Sequence, residues 1–133
     1  MNIIFKDIKE FSCEELKELF LSVGWSSGQY AEKLRIAMMN SDSVYTAWDG
    51  AKLIGLINSM SDGIMNVYFQ YLLVNPEYQG KGVGKSLVSL MLEQYNSFLR
   101  KTLIAYDTAL EFYQKCGFKS GSGATPMSVS ALV

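Results

Sequence analysis

The spacing of apolar and polar positions changes several times along the chain, and each change predicts an element. In "NIIFKDI", residues 2 to 8, the alternation predicts a strand. The "SCEE" that follows has the Ser-x-x-Glu form of a capping box, with Ser12 as N-cap and Glu15 reaching back to it. A helix is therefore expected from about 13 to 23, stopped by Gly24. A second box-like pair, Ser26 and Gln29, opens another expected helix in which Tyr30, Leu34, Ala37 and Met38 recur at helical spacing until "NSDS" ends it. The run "SVYTAWDGAKLIGLINSMSDGIMNVYFQYLLV" reads as three strands, about 43 to 48, 52 to 60 and 64 to 74, joined by Asp49-Gly50 and Asp62-Gly63 turns. These form an antiparallel meander.

From Gly82 to about Leu99 the period is helical again: Leu87, Met91, Tyr95 and Phe98, with Val88 and Leu99 beside them, make one apolar face. "KTLIAY" (101 to 106) predicts a short buried strand, "DTALEFYQKC" a short helix stopped by Gly117, and "PMSVSALV" a last strand. Thr108 and Glu111 form a further capping box, and either Asp107 or Thr108 is expected to cap that short helix. With no repeat or low-complexity segment, residues 1–133 are expected to form a single domain.

Composition narrows the function classes. At 49% hydrophobic and 19% charged residues the chain can bury a real core. Twelve basic residues against thirteen acidic ones, a net charge of -1, give no general field for nucleic acid or an anionic membrane. The N-terminal ten residues carry charges where a signal peptide needs an apolar core, and no run reaches membrane-spanning length, so cytoplasmic residence is expected. Cys13 and Cys116 lie far apart and histidine is absent, which argues against a zinc site and against any histidine-dependent mechanism.

The remaining candidate chemistry lies in "QGKGVGKSL", residues 79 to 87. It looks like a nucleotide-triphosphate loop but has Gln79 where the first Walker glycine belongs, and the preceding meander is antiparallel rather than βαβ. Lys85 spoils the dinucleotide fingerprint in the same way. The pattern that fits is Gln-x-x-Gly-x-Gly, filled by Gln79, Gly82 and Gly84 between a strand and an amphipathic helix. Glycines allow close backbone approach, and the free N–H groups that open the helix make a cradle for a pyrophosphate, with Lys81 and Lys85 adding charge. The plainer reading is a tight strand-to-helix turn.

"YLLVNPEYQGKGVGKSL" resembles motif A of the GNAT superfamily of acetyl-CoA-dependent N-acetyltransferases, and "ALEFYQKCGF" (109 to 118) resembles that family's Ala-x-x-Phe-Tyr-x-x-x-Gly-Phe segment. The element order is similar over nearly the whole chain. "VGWSSGQYAEKL" and "SDGIMN" are similar to bacterial members and to the plastid amine acetyltransferases of plants. The resemblance implies an α/β GNAT fold: a mixed, mostly antiparallel central sheet with splayed central strands, flanked by about four helices.

It also implies acetyl-CoA as the acetyl donor without a metal. The backbone of Leu72, Leu73 and Val74 would pair with the pantetheine arm, and the pyrophosphate would lie on Gln79, Gly80, Lys81, Gly82, Val83, Gly84 and Lys85, with Ser86 an extra donor. Tyr113 matches the tyrosine near the CoA sulfur, either as the acid that protonates the departing thiolate or as a hydrogen-bond donor to it. The acceptor implied is a small or lysine-like primary amine that attacks the thioester directly in a ternary complex, and a homodimer is the family expectation.

Two positions depart from the family pattern. Tyr71 stands where relatives often carry a carboxylate, which leaves the base open between a water relay, a backbone carbonyl and Asp62. Tyr106 replaces an asparagine that touches CoA. Cys116 is read as packing, and Trp25 and Tyr30 as an aromatic contribution to the acceptor side. A non-catalytic acyl-CoA-binding module, for sensing or scaffolding, is the alternative to an enzyme.

Overall fold

A five-stranded sheet organises the chain in the computed structural model, which describes residues 2–130. The elements are β1 (Ile3–Asp7), α1 (Cys13–Ser22), α2 (Ala31–Met39), β2 (Ser43–Asp49), β3 (Lys52–Ser61), β4 (Asn66–Val74), α3 (Val83–Gln94), β5 (Arg100–Leu103) and α4 (Leu110–Lys115). Short 3-10 turns occupy Ser26–Tyr30, Pro76–Tyr78 and Asp107–Ala109. The strands lie side by side in chain order; β1 to β4 pair antiparallel and β5 joins β4 in parallel. This is the mixed, mostly antiparallel α/β arrangement expected, and the Asp-Gly turns fall where the sequence places them, with Gly50 and Gly63 at φ 60 and 84.

Each face of the sheet carries its own core. On one, α3 lays Leu87, Val88 and Met91 against Ala47, Ile54, Ile57, Val67 and Phe69. On the other, α1 and α2 lay Leu16, Leu19, Phe20, Leu34 and Met38 against Val44, Leu53, Leu56 and Leu73. Residues 53 to 59 of β3 are buried without interruption, because the strand is covered on both faces. The α1 capping box forms as predicted: Ser12 Oγ accepts from Glu15 N at 3.1 Å while Ser12 N donates to Glu15 Oε1 at 2.9 Å.

Several boundaries differ from the sequence reading. The helix expected from Ser26 begins at Ala31, and residues 26–30 form a 3-10 turn instead. Gly28 lies so close to α1 that a Cβ there would sit 2.8 Å from Leu21 Cδ2, and buried Ser27 bonds across to the sheet rather than capping. Helix α3 stops at Gln94, where the Tyr95 hydroxyl leaves the helix face to reach Ser43 Oγ (2.6 Å), Ser59 Oγ (2.7 Å) and the Asp42 carboxylate. Leu99 is consequently solvent-exposed rather than part of the apolar face. The strand expected at 101–106 covers only Arg100–Leu103 and lies at the sheet edge, with Ile104 and Tyr106 exposed. Neither Asp107 nor Thr108 makes a capping hydrogen bond to α4.

The last predicted strand fails over its described part. Residues 126–130 form none, and Met127 and Val129 are 92% and 108% exposed. Alternation supplies propensity, but a strand persists only where a neighbouring strand completes its ladder, and among the described residues the sheet ends at β1 and β5. Residues 131–133 of that prediction lie outside the described residues.

Candidate active site

The site begins where two strands part. Pairing of β4 with β5 runs from Asn66–Arg100 to Phe69–Leu103 and stops, so the last five residues of β4 have no strand on that side. Backbone donors and acceptors on an open edge can be taken up by an extended ligand laid beside them. Leu72, Leu73 and Val74, the residues proposed for such pairing, form the wall of a groove of about 610 Å³ at this split.

The glycine loop makes the floor. Beyond Val74, the Asn75 side chain accepts from Glu77 N at 2.9 Å and starts the 3-10 turn of Pro76–Tyr78, whose Tyr78 donates to Asp49 Oδ2 at 2.5 Å. Gln79 then folds back, its Nε2 donating to the Val74 carbonyl at 2.9 Å. That contact ties the loop to the strand end. Gly80 and Gly82 lie at φ 77 and 82, left-handed conformations that a side chain would strain, and Gly82 is the N-cap of α3. Gly84 serves packing: a Cβ there would lie 3.3 Å from Phe112 Cζ, so α4 approaches the start of α3 only because the position is bare. The first N–H groups of α3 have no partner inside the helix and carry the positive end of its dipole.

Ten of the twelve residues predicted for the site line this groove: Leu72, Leu73, Val74, Gln79, Gly80, Gly82, Val83, Gly84, Lys85 and Tyr113. Lys81 and Ser86 do not; Lys81 is exposed outside it, and Ser86 lines a shallow depression on the other side of α3 with Phe5 and Glu93. Thr108, Ala109 and Phe112 of the α4 region complete the far wall. Their contribution follows from α4 leaning on Gly84, which no local pattern reveals.

A second cavity of about 380 Å³ adjoins the groove, and Trp25, Leu72, Ala109 and Tyr113 belong to both. Tyr68, Phe69, Tyr71 and Tyr106 are its other rings. Trp25 stands between Tyr71 and Tyr106 with centroids 6.1 Å from each, Tyr71 meets Phe20 edge to face at 5.0 Å, and the Tyr71 hydroxyl lies 2.9 Å from Ser27 Oγ. Among the described residues lining this cavity none is charged. Tyr30 is absent from it: the ring is 47% exposed beneath Lys33 Nζ, so only Trp25 of the two expected aromatics contributes.

Electrostatics assigns roles to the titratable groups. Burial, followed by the neighbouring Cys116, pushes the Tyr113 phenol up to about 12, which keeps it a protonated donor at any ordinary pH. Asp62 is engaged elsewhere. Its Oδ1 accepts from the N–H groups of Ile64, Met65 and Asn66 at 2.8–3.0 Å and its Oδ2 from the Asn66 side chain, which hold the carboxyl well below the usual carboxylate range. It caps the β3–β4 turn and lines neither cavity. Burial pushes the half-buried Cys116 thiol up, with Lys85 opposing, as suits a packing residue. Among the described residues no three histidine, cysteine or acidic side chains cluster as a metal would require, and no helix is long and apolar enough to cross a membrane.

Comparison with known proteins agrees with this geometry. Residues 40–120 match the family model described as an acetyltransferase (GNAT) domain. Over 127 residues the chain is 31% identical to the uncharacterized N-acetyltransferase ycf52 of Pyropia yezoensis, covering 87% of this chain and 72% of that protein. It is 32% identical to the chloroplastic GCN5-related N-acetyltransferase 2 of Arabidopsis thaliana, covering 89% of this chain and 54% of that one. Among solved structures, the GNAT-family acetyltransferase SP0256 of Streptococcus pneumoniae TIGR4 superposes with a TM-score of 0.85 at 30% identity, covering 97% and 98% of the two chains. Glucosamine-6-phosphate N-acetyltransferase from Arabidopsis thaliana shares the fold alone, with a TM-score of 0.73 at 14% identity.

Proposed function

Because the chain belongs to the GNAT acetyltransferase family and is an acyltransferase enzyme, we propose that its acetyl donor is acetyl-CoA, laid in the groove beside β4, and its acceptor a primary amine in the adjoining aromatic cavity. The observation that carries this reading is the shared wall: Trp25, Leu72, Ala109 and Tyr113 line both spaces, so donor and acceptor meet at Tyr113. The groove suits the donor. The open edge of β4 matches an extended amide-bearing arm, and two left-handed glycines ahead of the helix N-terminus match a pyrophosphate.

The reaction is direct transfer. The neutral amine nitrogen attacks the thioester carbonyl carbon, the carbon–sulfur bond breaks, the nitrogen gives up one further proton to water, and an amide and a thiolate result. Tyr113 offers its hydroxyl hydrogen to the sulfur as that bond lengthens. Held at about 12 against a free thiol near 8.5, the phenol favours donating a hydrogen bond over surrendering its proton, which the thiolate takes finally from solvent. The incoming ammonium must also lose a proton before it attacks. With Asp62 committed to its turn, water in the cavity carries it to solvent, and a main-chain carbonyl serves only to orient the amine by accepting a hydrogen bond. Trp25, Tyr71 and Tyr106 suit an amine carried on an apolar or aromatic body.

Residues 1–133 act as one domain in this reading, and a homodimer is the assembly we propose from family resemblance. Acetyl-CoA turnover against alkylamines, polyamines, lysine peptides and arylalkylamines tests the function. Tight acetyl-CoA binding without transfer to any of them would favour a sensing or scaffolding module instead.

A further inference from the structure

The side chains of β4 change face partway along the strand. Val67 and Phe69 pack into the core beneath α3, and so do Leu72 and Val74, whereas Tyr71 and Leu73 pack on the α1 side. Strict alternation would keep 67, 69, 71 and 73 together. The register explains the switch: Phe69 pairs with Ser59 and Leu72 with Ile57, which leaves Gln70 and Tyr71 opposite Asn58 alone. This is a β-bulge, and its surplus residue lacks an ordinary ladder bond. Here the Tyr71 N–H donates to Asn58 Oδ1 at 2.8 Å. Asn58 is 1% exposed, and its Nδ2 donates to Ser41 Oγ at 3.1 Å and to Gln70 Oε1 at 3.4 Å. Ser41 in turn donates to the Ala37 carbonyl of α2 at 2.8 Å. One planar amide thus ties both bulge residues to the helix behind the sheet.

We propose that Asn58 is a positioning residue for acyl transfer, its side chain holding the β4 bulge that aims Tyr71 into the acceptor cavity and sets Leu72 at the junction with the donor groove. The proposal rests on the transfer reading above. Without the bulge, a shift of one residue would turn every side chain on one side of it to the opposite face. Tyr71 would leave Ser27 and Phe20, and Leu72 would leave the wall common to both spaces. Asparagine suits the task because it offers an acceptor to Tyr71 and donors to Ser41 and Gln70 from one rigid plane. Leucine has similar bulk but leaves the half-buried Tyr71 N–H without its Asn58 acceptor.

Wild-type turnover is measured first, since its absence would overturn the transfer reading itself. Asn58→Leu is expected to lower kcat about 100-fold, the scale of a misplacement near 1 Å, while the acetyl-CoA KM stays within about threefold. Residues 79–86 are untouched, and the β4 edge offers main-chain groups to the groove whichever residue supplies them. Asn58→Asp keeps the acceptor oxygen and is expected to hold kcat within about tenfold of wild type. Wild-type kcat and acceptor KM in Asn58→Leu would overturn the proposal. So would parallel loss of transfer and acetyl-CoA binding, the mark of general packing damage. If that variant does not fold, or if wild type proves inactive, amide hydrogen exchange in the wild-type protein decides whether Asn58 holds the bulge. The Tyr71 N–H is expected to exchange as slowly as its neighbours in β4, and exchange as fast as in the exposed tail 121–130 would overturn the proposal.

Discussion

Replacing Gly82 by alanine separates the two physical demands placed on the loop. Gly82 has φ 82 and forms the N-cap of α3, yet a Cβ built on it meets no atom within 4 Å. The cost of Gly82→Ala is therefore backbone strain alone, about 1–2 kcal/mol for an L-residue held left-handed. How that cost divides depends on the free loop. If the loop stays left-handed without ligand, stability falls by the full amount and affinity is unchanged. If it relaxes, stability is spared and the strain returns on binding, which weakens acetyl-CoA affinity by about 5- to 30-fold. In either case the ligand-saturated protein carries the whole strain, so its melting temperature should fall by roughly 3–10 °C. Calorimetric titration with acetyl-CoA and thermal melts with and without ligand measure both parts. Gly82→Asn should lose less than half as much, because asparagine visits the left-handed region readily. An unchanged melting point in saturating acetyl-CoA, or an asparagine variant as damaged as the alanine one, would refute the reasoning.

Tyr113→Phe should lower kcat about 100-fold with little change in acetyl-CoA affinity, the scale for removing one donor to a developing charge. Because burial raises its folded pKa above the free value, the donor form survives to higher pH, and kcat/KM should keep rising with amine deprotonation to roughly pH 11. A wild-type decline near pH 10 that vanishes in the Phe variant would contradict this. Tyr95→Phe removes the hydroxyl shared by Ser43, Ser59 and Asp42 and should cost about 1–3 kcal/mol in urea unfolding. A loss below about 0.5 kcal/mol would mean those groups find other partners. Gln79→Leu frees the Val74 carbonyl from the loop and should weaken acetyl-CoA binding several-fold without slowing the bound complex, as saturation kinetics would show.

Features decided by neighbours in the chain were legible in the sequence. The Ser12–Glu15 box, the two Asp-Gly turns and the glycine loop depend on backbone conformations and contacts a few residues apart, and a short motif contains all the atoms involved. The donor side of the site follows from them, since a strand, a glycine turn and a helix start make the groove floor by themselves. What lies across the sheet was not legible. Ser26 and Gln29 look like a helix start, but Gly28 is pressed onto Leu21 and Ser27 is drawn to Tyr71, so the helix begins at Ala31. "PMSVSALV" has a strand's alternation, but its described part, residues 126–130, forms no strand.

Apart from Trp25, the proposed acceptor side belongs to this second kind. Trp25, Tyr71 and Tyr106 come from three separated segments, and alternation along β4 would place Tyr71 on the wrong face. A bulge corrects it, and the side chain that satisfies the bulge is Asn58 on the next strand. The sequence by itself thus determined the glycine floor of the groove, because short-range backbone geometry creates it. Tertiary structure decided which rings other than Trp25 line the adjoining cavity, because hydrogen bonds between distant segments set the register that aims them.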